Sequence, residues 1–360
     1  MKIVTIIGTR PEVIKMSEII RKLDKYTDHI LVHTGQNYDP ELNEMIFKGL
    51  DIREPNYRLE SKADTTIQLI CNILPQIEQI LIKEKPDAVL ILGDTYSGLS
   101  AFVVKKMGIP MFHIEAGNRA YSDDVPEEVN RRIIDACSDI LLPHTQRARE
   151  QLLIEGYHPK KIFVIGDPIA EIIRKHKEKA KQSDILERLG ISDGEEYVVA
   201  TIHRAEHVGN TEILSEICSS LMEISKKHKV IVSVHPHMKK FLDENVRSNE
   251  NIKFLKPFAF LDMLKLEMDA ICMISDSGTI QQESAILGKP SLFVRTVTER
   301  PEMIEAGKVI VCGVKKEDIL DCFNIAINLK DSEYIDIPDD YHDDVSDKVL
   351  KILMRYRHVR

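Results

Sequence analysis

Twice along this chain, short apolar runs rich in Val and Ile alternate with longer amphipathic stretches, and few folds accommodate that pattern. Apolar runs without polar alternation mark strands covered on both faces, as in parallel sheets flanked by helices. In the first half, strands are expected at 2–7, 29–34, 88–92, 111–114, 139–142 and 162–165, with helices at 11–25, 40–49, 64–84, 97–107, 127–136 and 145–154. A second alternation follows, with strands at 197–202, 230–235, 252–255, 271–274, 291–294 and 309–311 and helices between them. The charged stretch 169–196 lacks strand signals and reads as a helical connector. Residues 345–360 read as a last helix with Asp344 as its N-cap. The expected class is therefore α/β: two Rossmann-like domains, 1–168 and 169–344, facing across a cleft, with the C-terminal helix packed back on the first.

Charge and composition exclude several roles. Against 58 Asp plus Glu stand 49 Lys plus Arg, and a net charge of −9 speaks against a nucleic-acid surface. No apolar run approaches the roughly 18 residues of a membrane span. The opening Met-Lys-Ile-Val-Thr-Ile-Ile meets Gly8 and Arg10 too soon for a signal peptide and reads as a first strand. Six cysteines without a C-x-x-C pair suggest reduced thiols and a cytoplasmic setting, most of them small buried hydrophobes.

Ligands of such sheets sit beyond the carboxyl ends of the strands, so the residues just after each strand matter most. Three segments there, GTRPE at Gly8 to Glu12, SDSG at Ser275 to Gly278 and TERPE at Thr298 to Glu302, offer free N–H groups and a helix N-terminus, an anion site. Ser277, Gly278 and Thr279 would present N–H groups to a phosphate, Glu283 would accept from ribose hydroxyls, and Arg10, Lys15 and Arg300 would supply the charges a diphosphate needs. The plainer alternative is that Asp276 or Ser277 merely caps a helix. His203 and His235 each end a strand and would reach a diphosphate. Their neighbours His207 and His237 give spacings a metal uses, but no third ligand follows, so no metal is expected. In the first half, Asp94 and Glu115 end successive strands, and Glu127 follows Pro126 at a helix start. Convergence of the three suits proton transfer; the alternative is two caps and a pairing of Glu115 with Arg119 or Arg131.

With GTRPE and Lys15, LGDT at 92–95, HIEAG at 113–117, PEE with NR at 126–131, His203-Arg204, SDSG and TERPE in this order, the chain resembles the non-hydrolysing UDP-N-acetylglucosamine 2-epimerases over nearly its whole length. The resemblance implies a glycosyltransferase-B-like fold, a homodimer, and inversion at C2 of a UDP-linked N-acetylhexosamine without NAD or metal. It implies elimination of UDP to a 2-acetamidoglucal and re-addition, feeding surface polysaccharide synthesis. Asp94, Glu115 and Glu127 would handle protons and His203 would assist the departing diphosphate. Arg10, Lys15, His235, Ser277, Gly278, Thr279, Glu283 and Arg300 would hold UDP. Three departures stand out: Gly35-Gln36-Asn37 where the family usually reads Gly-Gln-His, Thr279 for a second glycine, and Asn118 for Leu. These variants resemble the branch that forms UDP-N-acetyl-L-fucosamine from its 6-deoxy-L-talo epimer. A UDP-sugar glycosyltransferase of the same fold and a non-catalytic nucleotide-sugar sensor are the competing readings; the three acids disfavour both.

Overall fold

The computed structural model describes residues 1–36, 46–122, 125–234, 242, 249–330, 340–341 and 344–356. They form two compact units, Met1–Ile172 with Asp339–Arg360 and Ile173–Pro338.

The first unit carries a six-stranded sheet of β1 (Lys2–Ile7), β2 (Asp28–His33), β3 (Tyr57–Arg58), β4 (Ala88–Leu92), β5 (Met111–Ile114) and β6 (Ile140–Leu142). Its order is β3-β2-β1-β4-β5-β6 and every pair is parallel. The helices are α1 (Arg10–Tyr26), α2 (Thr66–Glu84), α3 (Ser100–Lys106), α4 (Pro126–Cys137), α5 (Gln146–Ile154) and α6 (Pro168–Ala180), whose last turns belong to the second unit. Burial explains the unbroken apolar runs: Val4, Ile6, Val89 and Ile91 pack with Ile73, Ile77 and Ile80 of α2. The alternate residues Ile3, Ile7, Leu90 and Phe112 are equally buried, and Phe112 meets Tyr356 edge to face at 5.3 Å.

Tyr356 lies on α14 (Val345–Tyr356), which packs on α1. Glu171 of α6 accepts from the Ser346 N–H at 2.8 Å and its hydroxyl at 2.6 Å, while Lys22 pairs with Asp347 at 2.5 Å. The expected cap Asp344 stands just before the helix, but its carboxylate lies 3.4 Å from Lys348 Nζ, and the Ser346 N–H goes to Glu171.

The second unit repeats the topology with β7 (Tyr197–Ile202), β8 (Lys229–Val234), β9 (Ile252–Leu255), β10 (Cys272–Ser275), β11 (Ser291–Phe293) and β12 (Val309–Val311), ordered β12-β11-β10-β7-β8-β9. Its further helices are α7 (Ile185–Arg188), α8 (Ala205–Val208), α9 (Thr211–Ile224), α10 (Phe260–Asp269), α11 (Gly278–Leu287), α12 (Pro301–Glu305) and α13 (Lys316–Asn328). Both sheets therefore have the doubly wound order, in which the strand order, not the strand direction, reverses between the first and fourth strands and opens a ligand crevice at their carboxyl ends.

Three expectations need correction. Residues 162–165 are not a strand: Phe163 and Ile165 donate to the Leu141 and Pro143 carbonyls, but only Leu141 and Ile162 form a bridge. Pro143 has no N–H to return, so the ladder stops there. The two-residue β3, between Pro55 and a charged segment, is too short to show periodicity. The connector is not one helix, because α6 ends at Ala180 and Gly190 and Gly194 take left-handed φ of 64° and 74°. Of the helix expected at 40–49, residues 40–45 lie outside the described residues. No described helix is long and apolar enough to cross a membrane.

Candidate active site

In the first unit the turns after β1, β2 and β4 close on one another. A Cβ on Gly8 would stand 2.0 Å from Ser97 Oγ and 2.2 Å from Thr34 Oγ1, so only glycine permits this approach. Thr34 and Ser97 share a 2.6 Å hydrogen bond, and Gln36 Oε1 accepts from the Ser97 N–H and hydroxyl, both at 3.0 Å. At the centre is Glu12, buried in the first turn of α1. Its Oε2 accepts from Gly8 N–H at 2.7 Å, Thr9 N–H at 2.8 Å and the Thr9 hydroxyl at 3.0 Å, while Oε1 accepts from the Thr95 hydroxyl at 2.7 Å. One carboxylate thus ties the turn carrying Arg10 to the turn carrying Asp94. Burial pushes its pKa up to about 7 against the pull of hydrogen bonds from Thr95, Gly8 and Thr9.

Asp94 and Glu115, two residues beyond β4 and one beyond β5, sit on neighbouring strand ends. Each has a cation. Arg131 Nε of α4 donates to Asp94 at 2.7 Å, and Lys15 Nζ of α1 donates to Glu115 at 2.9 Å, with Asn118 Nδ2 at 3.4 Å from the other oxygen. Arg131 also donates through Nη1 to Glu128 at 3.2 Å, and Asn130 Nδ2 donates to the Asp94 carbonyl at 2.9 Å. Glu127 occupies the first turn of α4, half-buried. Arg10 opens α1.

Glu115 has φ 73°, a left-handed conformation that costs a side-chain-bearing residue about 1–3 kcal/mol unless its surroundings impose it. The constraint is Asp135, fully buried on α4, which accepts from Gly117 N–H at 3.2 Å, from Arg119 at 2.8 Å, and faces His113 Nδ1 at 2.7 Å. Arg119 also grips Glu155 with two bonds, at 2.8 and 2.6 Å. Burial alone would raise the Asp135 pKa; the His113 hydrogen bond and the Arg119 charge hold it below the usual carboxylate range. Arg119 therefore braces the loop instead of pairing with Glu115.

In the second unit the turns after β7 and β10 meet on Asp276, whose side chain is wholly inaccessible. Its carboxylate accepts from His203 N–H at 3.1 Å and Arg204 N–H at 2.9 Å, and faces Nδ1 of His203 at 3.2 Å and of His207 at 3.1 Å. Burial opposes ionisation, yet the hydrogen bonds from His203 and His207 hold its pKa well below the ordinary range. Asp276 does not simply cap α11; it joins the two turns.

Ser277 stands at the N-cap of α11, but its N–H is taken by Ser275 Oγ at 2.9 Å, and its hydroxyl pairs with Thr279 Oγ1 at 3.0 Å. The phosphate-facing N–H groups expected of this loop thus reduce to those of Gly278 and Thr279, ahead of the first bond from Ile280 N–H to the Ser277 carbonyl. A Cβ on Gly278 would lie 3.0 Å from Glu299 Oε1. Glu283 is half-buried one turn on, and Arg300 is buried at the N-cap of α12. His235 lies outside the described residues, as do Asn37 and His237. Among the described residues, no three or more His, Cys, Asp or Glu side chains are grouped to hold a metal ion.

The sequence profile described as UDP-N-acetylglucosamine 2-epimerase matches residues 21–354. The chain belongs to that family. The UDP-N-acetylglucosamine 2-epimerase of Methanocaldococcus jannaschii is 37% identical over 341 residues, covering 92% of this chain and 93% of the relative. A Pseudomonas aeruginosa relative, a UDP-2,3-diacetamido-2,3-dideoxy-D-glucuronate 2-epimerase, is 33% identical across 89% of this chain and 91% of its own length. The crystal structure of the M. jannaschii enzyme in complex with UDP-GlcNAc and UDP superposes with a TM-score of 0.92 at 35% identity, covering 99% of this chain and all of that one. Acinetobacter baumannii MurG, at 12% identity and a TM-score of 0.55, shares the fold alone. The chain is thus an epimerase of the isomerase class, acting at C2 of a UDP-sugar, and its two-domain α/β fold is the expected one.

In this epimerase the first unit gathers Arg10, Lys15, Asp94, Glu115 and Glu127 around the ends of β1, β4 and β5. The second places His203, Ser277, Gly278, Thr279 and Glu283 at the ends of β7 and β10, with Arg300 nearby on α12. Four residues outside the expected set support them: Glu12, Arg131, Asp135 and Asp276, of which the sequence suggests Arg131 only as a partner of Glu115 and Asp276 only as a cap. Only Glu12 carried a local signal, the Thr9-x-x-Glu12 pattern of a capping box.

Because the Glu12 pKa is raised in the fold, the unfolded chain releases its proton first as pH rises. This residue therefore costs stability progressively between its ordinary value of 4.5 and about 7. Glu12→Gln, which mimics the protonated acid, should fold and flatten the fall in melting temperature across that window. Glu12→Ala should lower both stability and turnover. A wild-type slope unchanged in Glu12→Gln would refute the assignment.

Proposed function

We propose that the enzyme inverts C2 by removing UDP and adding it back. A side-chain base takes the C2 proton, the C1–O bond breaks with its electron pair leaving on UDP, and C1=C2 forms. Protonation of C2 from the opposite face, with return of the UDP oxygen to C1, completes the inversion. The supporting observation is the placement of two carboxylates on neighbouring strand ends, Asp94 after β4 at the sheet's reversal point and Glu115 after the adjacent β5, each in contact with a cation. Two faces of one carbon require two acid/base groups, and Glu127 is the third candidate. Lys15, bonded to Glu115, would balance its charge, while Arg10, His203, His235, Gly278, Thr279, Glu283 and Arg300 would hold UDP, with Ser277 shaping the loop through Thr279.

Turnover in deuterated water should place deuterium at C2, with neither NAD nor chelator changing the rate; retention of the original hydrogen would exclude elimination. Asp94→Asn, Glu115→Gln and Glu127→Gln should each lower kcat about 10²–10⁴-fold, as for a positioned acid or base.

For the sugar, we infer activity on the 6-deoxy-L-talo substrate at least comparable to that on UDP-GlcNAc, from Asn37, EAGNR and SDSGT. A pocket shaped for a C6 methyl leaves no polar group unpaired there, whereas one built to bond a C6 hydroxyl rejects the deoxysugar. The measurement is kcat/KM for both, with the diacetamido-glucuronate of the Pseudomonas relative as a third. A UDP-GlcNAc preference above about a hundredfold, roughly 2.7 kcal/mol, would reverse this assignment.

Homodimerisation, in a cytoplasm that keeps the six thiols free, has support in the exposed Ile67 of α2, Phe102 of α3, and Val129 and Ile133 of α4, 69, 55, 59 and 39% accessible. Phe102→Glu should shift the sedimenting mass toward the monomer, and a monomeric wild type would overturn the proposal.

A further inference from the structure

We propose that Asp276 is a positioning residue for His203, setting the tautomer that turns Nε2 outward at the reversal point of the second sheet. The proposal deepens the preceding reading, since the group served would be the UDP leaving oxygen.

Three observations carry it. The Asp276 side chain has no solvent access, and the His207 ring beside it is 6% accessible, whereas the His203 ring is 45% accessible. The carboxylate cannot drift, because the N–H groups of His203 and Arg204 hold it at 3.1 and 2.9 Å. Both imidazoles address it through the same atom, Nδ1 of His203 at 3.2 Å from one oxygen and Nδ1 of His207 at 3.1 Å from the other. An ionised carboxylate only accepts hydrogen bonds, so Nδ1 of His207 carries the hydrogen, and the oxygen 3.2 Å from Nδ1 of His203 favours the hydrogen there as well. Nε2 of neutral His203 is then the ring nitrogen left with a lone pair, and in the protonated ring it becomes a donor. It emerges where β7 ends beside β10, alongside the opening turn of α11. There it can donate a hydrogen bond or a proton to a diphosphate oxygen that gains the C1–O electron pair, and recover the proton when that oxygen re-attacks. The His207 ring is buried and bonded to the second oxygen, beside the Arg204 N–H.

Asparagine at 276 would keep the shape but present an amide N–H to one histidine, favouring the opposite tautomer of His203. Nitrogen-15 NMR of the wild-type protein without sugar should show neutral His203 protonated on Nδ1; protonation on Nε2 would overturn the proposal. Asp276→Asn should lower kcat about 10²–10⁴-fold and shift the limb of the pH–rate profile belonging to His203, while UDP affinity falls much less. In a His203→Ala background the same change should add little, because both act through one group. Multiplying losses, or a fall confined to UDP affinity, would make Asp276 merely structural. His207→Gln should leave the His203 tautomer intact, and its reversal would transfer the role to His207. The tautomer is read without turnover, so an enzyme inactive on every UDP-sugar would refute the proposed reaction without touching this assignment.

Discussion

A doubly wound sheet creates its ligand crevice by reversing its strand order, and the reversal sets two strand ends side by side whose turns have N–H groups with no partner in the ladder. This chain answers the problem the same way in both units, with a buried carboxylate that spans the two turns. In the first, Glu12 follows the first strand and reaches across to Thr95 after the fourth. In the second the direction is opposite: Asp276 follows the fourth strand and takes the His203 and Arg204 N–H groups after the first. Donors outweigh desolvation at Asp276 but only partly offset it at Glu12, and each carboxylate fixes the turn beside it, that of Asp94 in one unit and that of His203 in the other.

The same economy governs the two strand-end acids. Asp94 and Glu115 would repel each other as bare neighbours, but each is bonded to a cation from a flanking helix, Arg131 or Lys15. The left-handed turn at Glu115 is sustained by the interior network of Asp135, His113, Arg119 and Glu155, which grips the loop at Gly117 and Arg119. Removing one partner of such a buried ionic network leaves a charge without compensation, so the loop geometry is held far more firmly than an exposed turn would be.

Much of this was legible before any coordinates. Two rounds of alternating runs announced two parallel sheets, and the residues just past the runs stand at the carboxyl edges of those sheets. Local reasoning failed where a partner lies far along the chain: the closing ladder at 162–165 is cut short by Pro143, the Ser346 N–H is taken by Glu171, and Arg119 turns inward to Asp135 and Glu155. Ser277 looked like a phosphate donor because its hydrogen bond to Ser275 depends on the turn's shape.

The sequence by itself determined the class of fold and the family, since periodicity and ordered motifs are local and read directly along the chain. Only the tertiary structure decided which cation lies against which acid, which carboxylate lies against His203 and why Glu115 holds a left-handed backbone. Those outcomes depend on burial and on contacts such as Lys15 with Glu115 and His207 with Asp276, between residues 100 and 69 positions apart, where no local signal reaches.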